Sequence, residues 1–157
     1  MSRHNKSLSR LAAVQALYQI DVGGTSDDLV IADFLSGELG GEAFERLPGQ
    51  AVEEIVPLGG FDPELFIKIV REVRLRQDNI DAIIEANLSD QWPIDRLEST
   101  ARSILRAGIG ELLFNTSVPT KVIISEFIDI AHAFYAGAEP SMVNAILDLA
   151  AKALRSE

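Results

Sequence analysis

Apolar residues recur every three or four positions along most of this chain, and strict alternation of apolar and polar residues is nearly absent. The first stripe lies on one side of a helix with about 3.6 residues per turn and consists of Leu8, Leu11, Val14, Leu17 and Tyr18. We predict that this helix runs from Ser7 to Asp21. It should end at Gly23 and Gly24, because glycine favours helix termination.

The same spacing predicts further helices along the chain. They cover residues 27–35, capped by Thr25 or Ser26, then residues 63–87, a segment between Asp95 and Asn115, and segments that begin at Pro119 and Pro140. Gly108 and Gly110 lie inside one of them, and each glycine destabilises a helix by about 1 kcal/mol relative to alanine. We therefore expect a neighbouring helix to approach closely there. The predicted fold is an all-α bundle of about six or seven helices.

Residues 36–60 differ from the rest of the chain, because they are rich in glycine, proline and acid and have weak apolar spacing. We predict a loop or loosely held excursion with one turn of helix near Gln50 to Ile55. Three roles stay open for this segment: it shields a binding surface, mediates homodimer contacts, or has neither role.

Composition indicates an ordinary globular protein with one core. The chain has 157 residues, 47% of them hydrophobic, which is enough for one domain. It contains no cysteine, so disulfides and cysteine-ligated metals are excluded, and a reducing cytosol is compatible. No apolar run is long enough to span a bilayer, and no signal-like segment stands at the N-terminus.

The net charge of −10 is unevenly distributed. Residues 1–20 carry +3 and no acid, residues 21–67 carry −10, and residues 68–157 carry −3. An acidic protein is an unusual partner for nucleic acid. The positive start of the chain is therefore the segment that differs most from the acidic remainder.

No constellation of catalytic residues is visible. His4 and His132 each lack a second ligand at metal-binding spacing, and we interpret them as solvated or hydrogen-bonded side chains. Paired glycines lack the strand, helix and lysine of a phosphate loop, so they predict turns. We predict a protein that is not an enzyme and needs no cofactor.

Arg3, Lys6 and Arg10 are spaced by three and four, which places them on one face of a helix beside the apolar stripe. They could bind phosphate oxygens, with Ser7 and Ser9 as extra hydroxyl donors, or simply keep the start of the helix in solvent. A second basic group, Lys68 with Arg71, Arg74 and Arg76, favours a solvated helix face, and the alternative is that it extends a nucleic-acid track. Gln15 and Gln77 stand within apolar stripes, either as hydrogen-bonding core residues or as parts of a contact surface.

Three blocks in order carry a resemblance to a known family. They are RLAAVQALYQ at residues 10–19, a W…R…ILR…EL pattern formed by Trp92, Arg96, residues 104–106 and residues 111–112, and PTKVIISE at residues 119–126 followed by MVNAIL at 142–147. They resemble the opening helix and the later motifs of the NusB family of bacterial transcription antitermination factors. In place of that family's run of arginines, this chain has Lys6-Ser7-Leu8-Ser9-Arg10.

The resemblance implies an all-helical fold of two packed subbundles, a single RNA-binding domain over residues 1–157, and a non-catalytic role in the cytoplasm. It implies binding of boxA-type single-stranded RNA together with the ribosomal small-subunit protein NusE, within the RNA polymerase antitermination complex that reads through terminators, notably in ribosomal RNA operons. Two other classes stay open. One is a helical protein-protein interaction module, and the other is an RNA-binding module associated with ribosomal RNA processing.

By residue matching, the resemblance assigns RNA contacts to the basic opening segment. The predicted RNA-binding set is Arg3, Lys6, Ser7, Arg10, Gln15 and Tyr18. The same matching makes Glu126 and Asn144 packing or hydrogen-bonding residues outside the RNA site.

Overall fold

The computed structural model describes residues 3–36, 61–88 and 97–155, with side chains from residue 4 onward. These residues form seven helices and no strand, which confirms the predicted all-α class. The excursion predicted beyond Ser36 and the Trp92 and Arg96 positions of the family pattern lie outside the described residues. The helices are α1 (Arg3–Gly23), α2 (Asp27–Ser36), α3 (Pro63–Leu75), α4 (Gln77–Asn87), α5 (Ser99–Phe114), α6 (Thr120–Phe134) and α7 (Glu139–Leu154).

Several helix ends are capped, and the caps at the end of α1 and at the start of α2 are those that the sequence predicts. Gly24 ends α1 with a positive φ of 65°, and its N–H donates to the carbonyl of Ile20 at 3.1 Å. Ser26 accepts from the N–H of Leu29 at 3.2 Å at the start of α2. Asp62 caps α3, where proline occupies the first turn. Helix α1 itself begins four residues earlier than predicted, at Arg3.

Helix α5 is the centre of the bundle, since every residue from Ser103 to Leu112 is buried. A Cβ atom on Gly108 would lie 2.9 Å from Leu147 of α7, and one on Gly110 would lie 2.6 Å from Val73 of α3. The two glycines are about 200° apart around the helix. The expectation of close approach is confirmed, and helices pack on opposite sides of α5 through these two contacts.

The single long helix predicted from residue 63 to residue 87 is wrong, because the chain breaks at Arg76 into α3 and α4. Val73 and Ile80 stand on either side of the break, and both come within 4 Å of the Cβ position of Gly110. In one straight helix they would lie about 10 Å apart along the axis. The break therefore lets two turns pack over the same glycine.

Ion pairs join the helices at the end of the bundle where α1 finishes. Asp21 of α1 accepts from Arg102 at 2.7 Å and lies 3.5 Å from Arg106, and Arg106 donates twice to Asp81 of α4 at 2.8 and 2.9 Å. We call Asp21, Asp81, Arg102 and Arg106 the outer cluster. It holds the end of α1 against the start of α5 and against α4.

Candidate nucleic-acid interface

The first turns of α1 lie beside the start of α3, the end of α5 and the second turn of α6. Ser9 accepts from the backbone N–H of Asp62 at 2.6 Å and donates toward the Asp62 carbonyl at 2.8 Å. Arg10 bonds to Glu111 and Glu126. These contacts place the start of the chain at one end of the bundle, on elements that are themselves well packed.

Arg10 is buried rather than exposed, with only 3% of its surface accessible. Its Nε and one terminal nitrogen donate to the two carboxylate oxygens of Glu111, each at 2.7 Å, and its other terminal nitrogen donates to Glu126 at 2.7 Å. Burial alone would lower the pKa of Arg10, but hydrogen bonds and charges from the two glutamates outweigh it and raise the pKa. We call Arg10, Glu111 and Glu126 the inner cluster.

The inner cluster corrects the prediction for Arg10. A guanidinium whose N–H groups are directed to two buried carboxylates does not belong to an exposed cationic row, because leaving the carboxylates unpaired in the core is strongly unfavourable. The assignment of Glu126 to hydrogen bonding is confirmed. The missed signal is that Glu111 and Glu126 are single acids within apolar stripes, which require a cationic partner.

Ser7 is half-buried, and its hydroxyl donates to Glu126 at 2.5 Å. The prediction of Ser7 as a free donor to phosphate is corrected accordingly, because the proton is directed into the protein. On the other side of the inner cluster, Asn115 donates to Glu111 at 2.8 Å. Each neutral donor shares its acceptor with Arg10, since Ser7 and Arg10 both donate to Glu126 Oε1, and Asn115 and Arg10 both donate to Glu111 Oε2.

Lys6 is the predicted site residue that stays available at this end. It is half-buried, and in the described part of the chain it makes no ion pair. The side chain of Arg3 lies outside the described residues, although its backbone belongs to the first turn of α1. His4, between them, is exposed.

Gln15 and Tyr18 are half-buried and do not come together with Lys6. They lie on α1 about 13 and 18 Å farther along the axis. The predicted set therefore does not form one compact site around the first turn. The two alternatives for Gln15, a core residue or a contact surface, remain open.

Further cations lie on α3, at the start of α6 and at the end of α7, and of these only Lys68 was singled out from the sequence. The Lys68 ammonium lies over the Phe114 ring at 5.7 Å from its centroid, while Lys121, Lys152 and Arg155 line a groove of about 420 Å³ between α6 and α7. Arg155 donates to the carbonyls of Leu112 and Asn115, so this groove adjoins the end of α5. We call Lys6, Lys68, Lys121, Lys152 and Arg155 the basic end, and this set includes all four lysines of the chain. Asp148 also lines the groove and lies 3.4 Å from Lys152.

The remaining arginines of the second basic group are paired with acids. Arg71 bonds to Asp28 at 2.5 Å, Arg74 bonds to Asp27 at 2.9 Å, and Arg76 lies 3.4 Å from Glu72. Two of these contacts connect α2 to α3. The interpretation of this group as a solvated face is confirmed for these arginines, since each stays partly exposed.

No described residues form a group of three side chains able to hold a metal ion. Among the described helices, none is long and apolar enough to cross a membrane. The molecule is thus a helical bundle organised around a buried central helix, with a groove between α6 and α7 that is lined by Lys121, Lys152 and Arg155. This arrangement is that of a class of small all-helical proteins, and several solved structures are similar to it.

T. maritima NusB is 27% identical to this chain, with a TM-score of 0.69 over 93% of this chain and 89% of that one. A structure titled antitermination factors NusB and NusE in complex with dsRNA is 26% identical, with a TM-score of 0.70 over 97% and 99% of the two chains. The family model described as NusB family matches residues 7–152. The chain belongs to the NusB family.

Curated relatives agree with this assignment. The transcription antitermination protein NusB of Rhodospirillum rubrum is 46% identical over 96% of this chain and 85% of its own length. That of Brucella ovis is 46% identical over 98% of this chain and 84% of its own length.

Proposed function

We propose that this chain is a non-catalytic antitermination factor that binds boxA-type single-stranded RNA together with the ribosomal protein NusE, as one domain of the cytoplasmic RNA polymerase antitermination complex. The relatives named transcription antitermination protein NusB support the process, and the similar structure of NusB and NusE with RNA supports the partners. The observation that carries the proposal for this chain is the basic end, with Lys6 on the first turn of α1.

Lys6 and Arg3 are the proposed phosphate contacts of the first turn. Arg10 and Ser7 act behind them, because their hydrogen bonds to Glu111 and Glu126 hold α1 in place. Phosphate contacts set the position and register of an RNA, whereas bases carry its sequence. The first turn therefore contributes affinity more than sequence preference.

The test is an anisotropy titration of Lys6→Ala with a boxA-type RNA oligonucleotide over a range of salt concentrations, with and without the NusE partner. Two phosphate contacts predict a salt slope of magnitude about 1.4, at about 0.7 per contact on single strands. Lys6→Ala should weaken binding and lower the slope by about 0.7. The melting temperature should stay nearly unchanged, because Lys6 makes no described ion pair.

Arg76→Ala is the matched control, because it removes one positive charge at the turn between α3 and α4. It should leave RNA affinity and slope close to those of the parent. Equal affinity and slope for Lys6→Ala and the parent would contradict the proposed contact. The same RNA annealed to its complement forms a further arm, and tighter binding of the duplex would contradict the single-stranded assignment.

A further inference from the structure

A groove of about 200 Å³ runs between α1 and α6, outside the basic end. Its lining residues are His4, Ser7, Leu8 and Leu11 on α1 and Glu126, Asp129, Ile130 and Ala133 on α6. Successive turns of each helix contribute lining residues, so each helix presents one continuous side to the groove. Two rigid helices therefore form its walls.

The walls combine three kinds of chemistry. Leu8, Leu11, Ile130 and Ala133 make an apolar floor, and His4 supplies an exposed imidazole. Asp129 is exposed, and no described residue forms an ion pair with it. Glu126 also borders the groove, but it is only 7% exposed and forms an ion pair with Arg10. Asp129 is thus the hydrogen-bond acceptor that the groove offers to a ligand.

We infer that this groove binds one unstacked nucleobase of the RNA, with guanine preferred. An apolar floor and an imidazole suit the flat face of a base, since unstacked bases of single-stranded RNA stack on aromatic side chains, including histidine. A carboxylate accepts hydrogen bonds through two oxygens. The Watson–Crick edge of guanine presents two adjacent donors, N1–H and the N2 amine, whereas the other bases present one donor group there.

A phosphate group does not suit this groove, because Asp129 and Glu126 would repel it. The cations that suit phosphate lie on another side of the same turn of α1. Lys6 lies two residues after His4, on a different side of the helix. An RNA whose phosphates contact the first turn can therefore place a neighbouring base in the groove. The inference therefore rests on the proposed function, because it assumes that RNA phosphates contact the first turn of α1.

The experiment compares Asp129→Asn and Ala133→Leu with the parent chain, using the same RNA titration. The RNA panel has a single abasic position moved along the oligonucleotide, and a second panel replaces each guanine in turn by inosine, which lacks the N2 amine. Glu85→Gln on α4 is the charge-matched control for Asp129→Asn. Ala145→Leu on α7 is the size-matched control for Ala133→Leu, because both control positions are exposed and lie outside the groove.

For the parent chain we expect one guanine whose replacement by inosine weakens binding about ten-fold, the typical effect of losing one hydrogen bond to a charged group. Asp129→Asn should bind both RNAs with nearly equal affinity. Ala133→Leu should weaken binding to the parent RNA, and the loss should disappear with the RNA that is abasic at that position. Both control variants should behave like the parent.

Parent-like binding of Asp129→Asn and Ala133→Leu to every RNA, while Lys6→Ala still weakens binding, would overturn the groove inference and leave the proposed function intact. The same holds if Ala133→Leu weakens binding of the NusE partner alone. If Lys6→Ala and both groove variants all bind RNA like the parent, the proposed phosphate contact and the groove inference both fail. A parent chain that binds no RNA, alone or with the NusE partner, would contradict the proposed function itself.

Discussion

Helices α1 and α5 are joined by ion pairs near both ends, and the two clusters have opposite polarity. In the inner cluster the arginine belongs to α1 and a carboxylate to α5, whereas in the outer cluster the carboxylate belongs to α1 and the arginines to α5. Each cluster also has one carboxylate from a further helix, which is Glu126 of α6 in the inner cluster and Asp81 of α4 in the outer cluster. Each cluster therefore connects the central pair of helices to a different part of the bundle.

The two clusters also differ in burial and in charge balance. No side chain of the inner cluster is more than 8% exposed, and one arginine faces two glutamates. The side chains of the outer cluster are 9% to 27% exposed, and two arginines face two aspartates there. Buried partners depend strongly on each other, because water cannot replace a lost partner, whereas exposed partners are partly screened. The inner cluster should therefore dominate stability.

The largest expected effect is that of Arg10→Ala. The substitution leaves Glu111 and Glu126 buried without their cation, and removing one partner of a buried pair typically lowers the free energy of unfolding by about 3 to 5 kcal/mol. Urea unfolding followed by circular dichroism measures this loss of unfolding free energy. Arg102→Ala, which removes the same charge from the outer cluster, should lose about 1 kcal/mol. Equal losses for the two variants would refute the difference between the clusters.

Asp21→Asn should have a smaller effect, about 1 kcal/mol at pH 7, and this effect should depend on pH. Partial burial opposes ionisation of Asp21, but hydrogen bonds and charges from Arg102 and Arg106 outweigh it and lower its pKa in the folded chain. The stabilisation is therefore complete above the unfolded pKa of about 3.9 and is lost as the pH falls through the lower folded pKa.

Unfolding of the parent and of Asp21→Asn from pH 7 down to pH 3 checks this prediction. The difference between them should be constant down to about pH 5 and shrink below about pH 4. A difference that grows on acidification would show that the folded pKa is raised instead.

The smallest expected effect is that of salt. The screening length falls from about 10 Å at 0.1 M to about 3 Å at 1 M. The loss caused by Arg102→Ala should shrink by about 0.5 kcal/mol at high salt, because this pair contacts solvent. The loss caused by Arg10→Ala should stay the same. A similar reduction for both variants would show that solvent reaches the inner cluster.

The fold could be predicted from sequence where the signal is local. The apolar stripes predicted most of the helices, Gly23 and Gly24 predicted the end of α1, and Gly108 predicted a close contact inside α5. The break at Arg76 could not be predicted, because residues 73 and 80 share one side of a straight helix as well as of a broken one. The packing over Gly110 selects the broken form.

The candidate site was harder to predict, because it depends on contacts distant in sequence. Arg10 borders the apolar stripe of α1, and the spacing of three and four groups it equally well with Lys6 or with the core. Its partners lie 101 and 116 residues away. Spacing along one helix identifies neighbours on that helix, and the partner helix decides which of them are buried.

The two glycines of α5 also have a consequence for motion. Val73 presses on one side of this helix and Leu147 on the other, so α5 can neither rotate nor slide unless both neighbours move with it. Opening one side of the bundle alone is therefore unfavourable. Backbone amide hydrogens between Ser103 and Leu112 should exchange with deuterated water only through global unfolding, as the slowest class in the molecule.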